Sequence, residues 1–202
     1  MKKSILLLFL FIFVFSSAKA QFSENNAIYY SDGLSIGNYF GVDVNLNYVY
    51  REKYSLKIGY IHNWREPKSQ PGDYSAGLAK ALLFGAADPH DQMRNYQIAV
   101  GKIYLLNESR TIRINFSVGL GYTEIKEPAN WLKTESAFLA ENYTWNYENR
   151  NTLSLLINPR IEFPFTTIYG LSLSPMVQIN KHRTFFGIGV GQMIGLLRNR
   201  NY

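Results

Sequence analysis

The sequence contains no cysteine, which excludes a disulfide framework and thiolate metal sites. Charged residues make up 18% of the chain, below the roughly 25% that is usual in soluble domains. After residue 20, no apolar run approaches the roughly 20 residues that a membrane-spanning helix needs, so a helical membrane protein is excluded. The chain also lacks a block of basic residues, and nucleic-acid binding therefore has no support.

The sequence motifs of common enzymes are missing as well. There is no P-loop, no G-x-G-x-x-G between a strand and a helix, and no G-x-S-x-G. The three histidines are His62, His90 and His182, and the stretch Asp88-Pro89-His90-Asp91 has no second cluster that would complete a metal site. We therefore predict no catalytic residue, no cofactor and no metal.

The first twenty residues have the pattern of an export signal. Lys2 and Lys3 precede an apolar core at residues 5–15, and Ala18-x-Ala20 forms a cleavage site before Gln21. An N-terminal anchor is the alternative, but an apolar core of this length is too short to span a bilayer. We expect residues 1–20 to be a cleaved signal peptide and residues 21–202 to form one domain.

Apolar and polar residues alternate with a period of two along most of the remaining chain, which is the pattern of strands with one apolar face. The clearest segment runs from Ile112 to Thr123. Parity is disturbed at Gly101-Lys102, where we expect a β-bulge. The predicted strands cover residues 40–50, 54–64, 96–100, 112–123, 153–163, 171–180 and 184–191.

Short and long connections alternate between these strands, with a short one at residues 181–183 as the exception. This asymmetry is typical of outer-membrane barrels. An eighth strand is expected within residues 22–36, followed by a turn at either Ser31-Asp32-Gly33 or Gly37-Asn38. Pro159 and Pro175 fall inside strands of a closed barrel, so we expect bulges there too.

The polar face of the strands is rich in glycine and carries charges of both signs, which favours placing it inside the barrel. Eight strands enclose only enough space for side chains, so buried charges must pair. Aromatic residues form two predicted girdles on the apolar face, Tyr48, Tyr50 and Tyr54 at one end and Tyr60, Trp64 and Tyr122 at the other. The predicted lumen charge network is Asp43, Lys57, Arg113, Arg160 and Glu162.

The mature chain resembles the small outer-membrane β-barrel proteins of the OmpA/OmpX-like type, especially those of Bacteroidetes-like bacteria. The resemblance rests on Gly37-Asn38-Tyr39-Phe40-Gly41-Val42, on residues 183–190 and on the terminal aromatic Tyr202. It departs from the family at Arg198 and Arg200, where apolar residues alternate in the family. The resemblance implies an all-β, closed antiparallel up-and-down transmembrane β-barrel of about eight strands in the bacterial outer membrane. It also implies contact with outer-membrane lipid and with the barrel-assembly machinery.

Two long connections, residues 65–90 and 127–150, are the predicted external loops. Residues 75–84 are apolar enough for a short helix over the barrel mouth. The second loop is rich in aromatic residues, which make it a candidate for binding a protein or a surface ligand, although the same rings could simply pack on each other and on the barrel rim. These candidate residues are Trp131, Phe138, Tyr143, Trp145 and Tyr147.

The first functional hypothesis is a non-enzymatic outer-membrane protein that contributes to envelope integrity or acts through its external loops. The second is a soluble secreted or periplasmic barrel that binds an apolar ligand. A lipid-modifying barrel hydrolase comes third, because His182 is followed by Arg183-Thr184 and not by the His-x-Ser pattern of lipid A deacylase barrels.

Overall fold

The strands of the chain pair in sequence order, and the first strand also pairs with the last. The structure is a computed structural model that describes residues 26–77, 88–134 and 141–197, and these residues form a closed antiparallel up-and-down barrel of eight strands. The predicted fold is therefore confirmed. The strands are β1 Ala27–Gly37, β2 Phe40–Tyr50, β3 Tyr54–Arg65, β4 Asp91–Leu105, β5 Arg113–Lys133, β6 Tyr143–Phe163, β7 Tyr169–Asn180 and β8 Thr184–Leu196.

The eighth strand predicted from the sequence is β1, and its turn is at Asn38-Tyr39, so of the two proposed turns Gly37-Asn38 lies at the correct place. Asn38 ties this turn to β8: its Nδ2 donates to the Thr184 carbonyl at 2.7 Å and its Oδ1 accepts from the Phe186 amide at 3.0 Å. Ser31-Asp32-Gly33 continues β1 instead of turning, because its residues are paired with β2 and with β8.

The bulge predicted at Gly101-Lys102 is absent. The register with β3 and β5 continues unchanged through both residues. The alternation of apolar and polar residues is interrupted here because a charged residue faces outward and an apolar one faces inward. Lys102 is on the outer face, where its Nζ lies 5.0 Å from the Tyr104 ring centroid, and Ile103 is buried inside the barrel.

The bulges predicted at Pro159 and Pro175 are also wrong. The register between β6 and β7 is the same at Ile157↔Val177 as at Ile161↔Leu173, which places the two prolines opposite each other. The ladder is interrupted between these pairs, and Asn158 Nδ2 donates to the Pro175 carbonyl at 2.9 Å. Two residues without an amide hydrogen thus share one gap, and a side chain bonds a carbonyl there.

The outer surface of the barrel is apolar along every strand. Ile36 is 72% exposed, Leu120 62% and Val190 62%, although such side chains are normally buried in a soluble protein. Asp32 and Gln192 are a polar exception on this face, with Gln192 Nε2 donating to Asp32 Oδ2 at 3.3 Å. Most apolar residues of the strands therefore face outward, and most polar residues of the strands face the interior.

Aromatic residues border this apolar surface at both ends. Phe40 and Trp64 are in contact at a centroid distance of 4.8 Å on the long-connection side, and Tyr50 and Tyr54 are paired at the opposite end. Tyr54 and Trp64 are ten residues apart on β3, which is about 33 Å of strand. A strand tilt of about 40° reduces this length to about 25 Å of barrel height, the height of the apolar band of known transmembrane barrels.

The predicted loop 127–150 is largely a β-hairpin, which corrects the sequence interpretation. β5 and β6 stay paired as far as Lys133↔Tyr143, with one irregularity between Ala129 and Leu132. β4 pairs with β5 only up to Lys126, and β7 pairs with β6 only from Ser154 onward. The end of the hairpin therefore projects beyond the barrel as a two-stranded ribbon.

Several predicted features lie outside the described residues. These are the export signal at residues 1–20, Phe138, most of the proposed helix at residues 75–84, and the terminal residues Arg198, Arg200 and Tyr202. Within the described parts of the chain, no helix is long and apolar enough to cross a membrane.

Candidate functional site

A buried ion pair lies inside the lumen, near the short turns. Arg113 on β5 and Glu162 on β6 are register partners, and Arg113 Nε donates to Glu162 Oε2 at 2.7 Å. Glu162 is fully buried. Its other oxygen accepts from the Tyr29 hydroxyl at 2.9 Å and from Asn115 Nδ2 at 3.2 Å. The carboxylate is thus paired and hydrogen-bonded, as a buried charge requires.

The other three predicted lumen charges are close to this pair but are arranged more loosely. Arg160 Nη2 lies 3.9 Å from Asp43 Oδ2, and its Nη1 donates to the Ser31 hydroxyl at 3.0 Å. Both partners are on strands across the lumen from β6. Lys57 Nζ donates to Asn158 Oδ1 at 2.6 Å and has no carboxylate within ion-pair distance among the described residues. The structure thus places the five charges in one layer, as two ion pairs and one amide-bound lysine.

Two apolar clusters enclose the charged layer, one on the side of the short turns and one on the side of the long connections. Tyr29, Val49, Ile103 and Met193 are buried at the short-turn end, and Ile61, Met93, Leu156 and Phe185 belong to the cluster toward the long connections. A cavity next to Asp43, Lys57 and Arg160 has a volume of about 10 Å³, which is roughly the space of one water molecule. The described lumen is therefore filled with side chains.

Charged groups also line the mouth of the barrel, the end toward the long connections, where the hairpin leaves the wall. Glu127 on β5 binds Arg183 before β8, with Arg183 Nε at 2.6 Å from Glu127 Oε1, and it lies 3.7 Å from Arg150 Nη1 on β6. Arg65 pairs with Asp91 at 2.9 Å, and its guanidinium lies 4.2 Å from the Tyr39 ring centroid. These contacts link β5 with β6 and with the turn before β8, and they link β3 with β4 and with the turn between β1 and β2.

The connection after β3 folds against the projecting part of the hairpin. The Asp73 carboxylate accepts from Lys133 Nζ and from the Tyr143 hydroxyl, both at 2.6 Å, while its carbonyl accepts from Asn142 Nδ2 at 2.7 Å. The two side-chain hydrogen bonds, first that of Lys133 and then that of Tyr143, lower the pKa of the Asp73 carboxyl. We call residues 66–77 together with these hairpin partners the clasp.

Aromatic rings fill the space between residues 66–77 and the hairpin. Tyr74 contacts Trp131 at a centroid distance of 5.6 Å and Trp145 at 6.1 Å, and Trp131 contacts Trp145 at 5.3 Å and Tyr143 at 6.3 Å. Burial raises the pKa of Tyr74 to about 12. Three of the predicted contact residues thus form one cluster with Tyr74, which the sequence did not single out, while Tyr147 lies apart, under Lys126.

The candidate metal ligands and histidines of the described residues lie at separate places in the fold. Among those residues, no set of three or more His, Cys, Asp or Glu side chains is arranged to hold a metal ion. His182 lies in the turn after β7, where its amide donates to Asn180 Oδ1 at 2.9 Å. His62 is on the outer face, beside Trp64 at 5.2 Å.

Comparison with solved structures finds small β-barrels. The chain is similar to the N-terminal β-barrel domain of Pseudomonas aeruginosa OprF, with a TM-score of 0.51 and 11% identity over 86% of this chain and 98% of that domain. The Yersinia pestis outer membrane protein Ail has a TM-score of 0.49 and 12% identity over 85% of this chain and 99% of that one. Neisserial surface protein A has a TM-score of 0.45 and 8% identity over 84% of this chain and 94% of that one. No family model matches the chain, and no curated protein does. The similarity to the OprF domain shows the fold, while membership of a Bacteroidetes-type family remains a prediction.

Replacing Arg113 with Met should destabilise the barrel by about 3–5 kcal/mol, because Glu162 would be left buried without its cation. Arg160→Met should cost less, because Asp43 is farther away and its side chain is 19% exposed. The double variant Arg113→Met/Glu162→Leu should recover most of the loss. Urea unfolding of the folded protein in lipid vesicles measures all three. Equal losses for Arg113→Met and Arg160→Met would contradict this ranking.

The clasp should open at acid pH. Because the folded-state pKa of Asp73 is below its unfolded value, the contribution of Asp73 is present above about pH 4 and is lost as the pH falls through the folded pKa. Quenching of Trp131 and Trp145 fluorescence by an aqueous quencher should therefore rise on acidification. Asp73→Asn should remove this transition, whereas Glu66→Gln, the same charge change at an exposed position of the same connection, should retain it. Identical titrations for the two variants would refute the role of Asp73.

Proposed function

We propose that the protein spans a bacterial outer membrane as a closed barrel without an ion path, and that it acts through the hairpin that projects from it. The observation that carries the proposal is the inversion of the barrel: apolar side chains cover its outside, while ion pairs and amides occupy the centre of its interior. This arrangement suits a barrel that has lipid, not water, around it.

The dimensions of the apolar surface support a bilayer location. Its aromatic borders are separated by about 25 Å of barrel height, as estimated from the strand length and tilt, and this matches the band of transmembrane barrels. Closure of β1 on β8 leaves no open sheet edge within that band, as a hydrocarbon environment demands. The fold shared with the OprF domain is consistent with this location.

The competing functions find less support in the same residues. A carrier of an apolar ligand needs an apolar cavity of several hundred Å³, whereas the described lumen is packed and its centre is charged. A hydrolase needs a nucleophile within reach of a base, and His182 is followed by Arg183 in the turn and by Thr184 at the start of β8. We therefore propose a non-enzymatic role.

Export and assembly complete the proposal. We infer that residues 1–20 are removed during export at Ala18-x-Ala20, and that the barrel-assembly machinery inserts the mature chain. The short turns would then face the periplasm, and the hairpin would be exposed outside the cell.

The projecting hairpin is the part best suited to contact a protein or a surface ligand. It holds Trp131, Tyr143 and Trp145 in one cluster, and Tyr and Trp usually dominate the energetics of interfaces. The clasp and the Glu127 ion pairs fix its position, so that little conformational entropy would be lost on binding. The alternative role, envelope integrity, requires only the barrel.

A charge on the outer face should test the lipid location. Val118→Arg should destabilise the protein in vesicles by roughly 2–4 kcal/mol, less if the site is near an interface. Leu132→Arg is the matched control: Leu132 is 66% exposed but lies on the projecting hairpin, so its replacement should change stability by less than about 0.5 kcal/mol. If Val118→Arg leaves the stability unchanged, the wall faces water and the proposed membrane location is wrong.

The pure protein should not conduct ions. Planar-bilayer recording at neutral pH is expected to show no reproducible single-channel steps, because the charged layer and both apolar clusters fill the lumen. A wide, water-filled porin recorded in the same bilayers serves as the positive control for detection. Steady conductance of the unaltered protein would make it a small pore and overturn the sealed-lumen proposal.

Shortening the hairpin should separate its role from that of the barrel. Ala129 and Asn146 are register partners, so residues 130–145 can be replaced by Asn-Gly, which favours a tight two-residue turn. The shortened protein should remain folded and heat-modifiable, while any adhesion or binding phenotype is lost. If the phenotype persists in full, the function resides in the barrel and the contact role of the hairpin is wrong.

A further inference from the structure

A polar pocket lies on the outer face of the barrel, just beyond the aromatic border on the long-connection side. It has a volume of about 150 Å³ and lies on β4, β5 and β6. The outward-facing side chains around it are Gln92, Arg94, Glu124, Lys126, Asn149 and Asn151. Tyr96 and Tyr122, which are register partners, lie directly below it. The pocket is therefore at the level where lipid head groups meet a membrane barrel.

The two cations of this pocket are not neutralised by ion pairs with described residues. Arg94 donates to Gln92 Oε1 at 3.4 Å, and Lys126 Nζ lies 4.2 Å from the Tyr147 ring centroid. Glu124 is the register partner of Arg94 but is not within ion-pair distance of it. Two cations face one carboxylate, and the amides of Asn149 and Asn151 add hydrogen-bond donors. This donor set suits a phosphate.

An apolar groove lies below the pocket on the same strands. It has a volume of about 320 Å³, and Ile98, Val100, Val118, Leu120 and Leu155 form its sides. Its floor is the backbone around Ala99 and Gly119, which are register partners. The small side chain of Ala99 points inward and Gly119 has no side chain, so the groove is a depression in the wall and not an opening to the lumen.

Pocket and groove are aligned along the strands. Arg94 and Ile98 are four residues apart on β4, which is about 13 Å of strand, with Tyr96 between them. A strand tilt of about 40° turns this into about 10 Å of depth. The acyl chains of a lipid extend into the bilayer from the head-group phosphate over a distance of this size. One lipid molecule could therefore occupy both the pocket and the groove.

We propose that the wall formed by β4, β5 and β6 binds a phosphate-bearing lipid of the leaflet at the hairpin end, with Arg94 and Lys126 at the phosphate and the groove holding an acyl chain. The inference rests on the proposed membrane location but names a site which that location does not require. The charge of the pocket and its continuity with the groove identify the occupant.

Native mass spectrometry of the full barrel in detergent micelles tests the proposal, with bisphosphorylated lipid A and the same lipid without its phosphates as probes. Wild-type protein should retain the phosphorylated form preferentially. Arg94→Gln/Lys126→Gln should weaken its binding by about tenfold or more, since hydrogen bonds to charged groups are lost. Arg51→Gln/Lys102→Gln removes the same charge at the opposite end of the barrel and should leave binding almost unchanged. Equal binding by all three proteins, or equal loss in both variants, would overturn the site.

The groove is tested by an apolar substitution that fills it. Val118→Phe should weaken lipid A binding, whereas Val190→Phe, at an outward position of β8, should not. If inorganic phosphate binds as well as the lipid and Val118→Phe has no effect, the lipid assignment is wrong. Heat-modifiability is recorded for every variant: loss of lipid binding in a folded, inserted barrel counts against this site alone, while failure of the unaltered chain to insert counts against the proposed function.

Discussion

The closure of β1 on β8 is the constraint on which the other features depend. It gives every strand two neighbours, so that the backbone groups of the wall can bond to each other and the outer surface can be apolar. It also narrows the interior to a space that side chains must fill. Polar residues that alternate with the apolar ones then have nowhere to point except into this space, and their charges have to be paired or hydrogen-bonded there. The ion pair of Arg113 with Glu162 is a consequence of closure as much as a stabilising contact.

The opposed prolines show how far this constraint can be relaxed. Pro159 and Pro175 interrupt the β6–β7 ladder at one level only, and the register is preserved on both sides of the gap. Asn158 points into the lumen, where it binds Lys57, and it also donates to Ser174 and to the Pro175 carbonyl. One amide thus links the charged layer to the weakest part of the wall. Had the prolines lain at different levels, the wall would have had two separate gaps in its hydrogen-bond ladder.

The alternation of apolar and polar residues was sufficient to predict the barrel and most strand positions, because one buried face imposes a strict period of two. The same reasoning failed where that condition is absent. Residues 127–150 project beyond the wall, so neither face of the ribbon has one constant environment, and their strands carry aromatic and polar residues without a clear period. Similarly, Lys102 faces outward at the border of the apolar band, and Ile103 belongs to an apolar cluster inside the lumen, which reverses the expected polarity of both faces.

Partners across the lumen could not be predicted for a different reason. The tilt of the strands decides which residues meet inside the barrel, and no single strand carries that information. Arg160 reaches Asp43 and Ser31 on β2 and β1, although its own register partner on β5 is Asn115. Tyr29, which bonds Glu162, was missed because its sequence neighbours give no sign of the distant carboxylate. Only the register partners Arg113 and Glu162 were within reach of local reasoning.

The pairing of β5 with β6 connects the interior of the barrel with its candidate contact surface. The same two strands carry the Arg113–Glu162 pair near the short turns, part of the apolar wall, and the aromatic cluster at the far end. Glu127 binds Arg183 and Arg150 at the point where the ribbon leaves the wall, and Asp73 binds Lys133 and Tyr143 near its tip. A ribbon held at both points cannot swing freely on the barrel, since each anchor comes from a different connection. The aromatic cluster is therefore presented in a fixed orientation relative to the barrel wall, which is the property that a contact surface needs to bind without a large entropic cost.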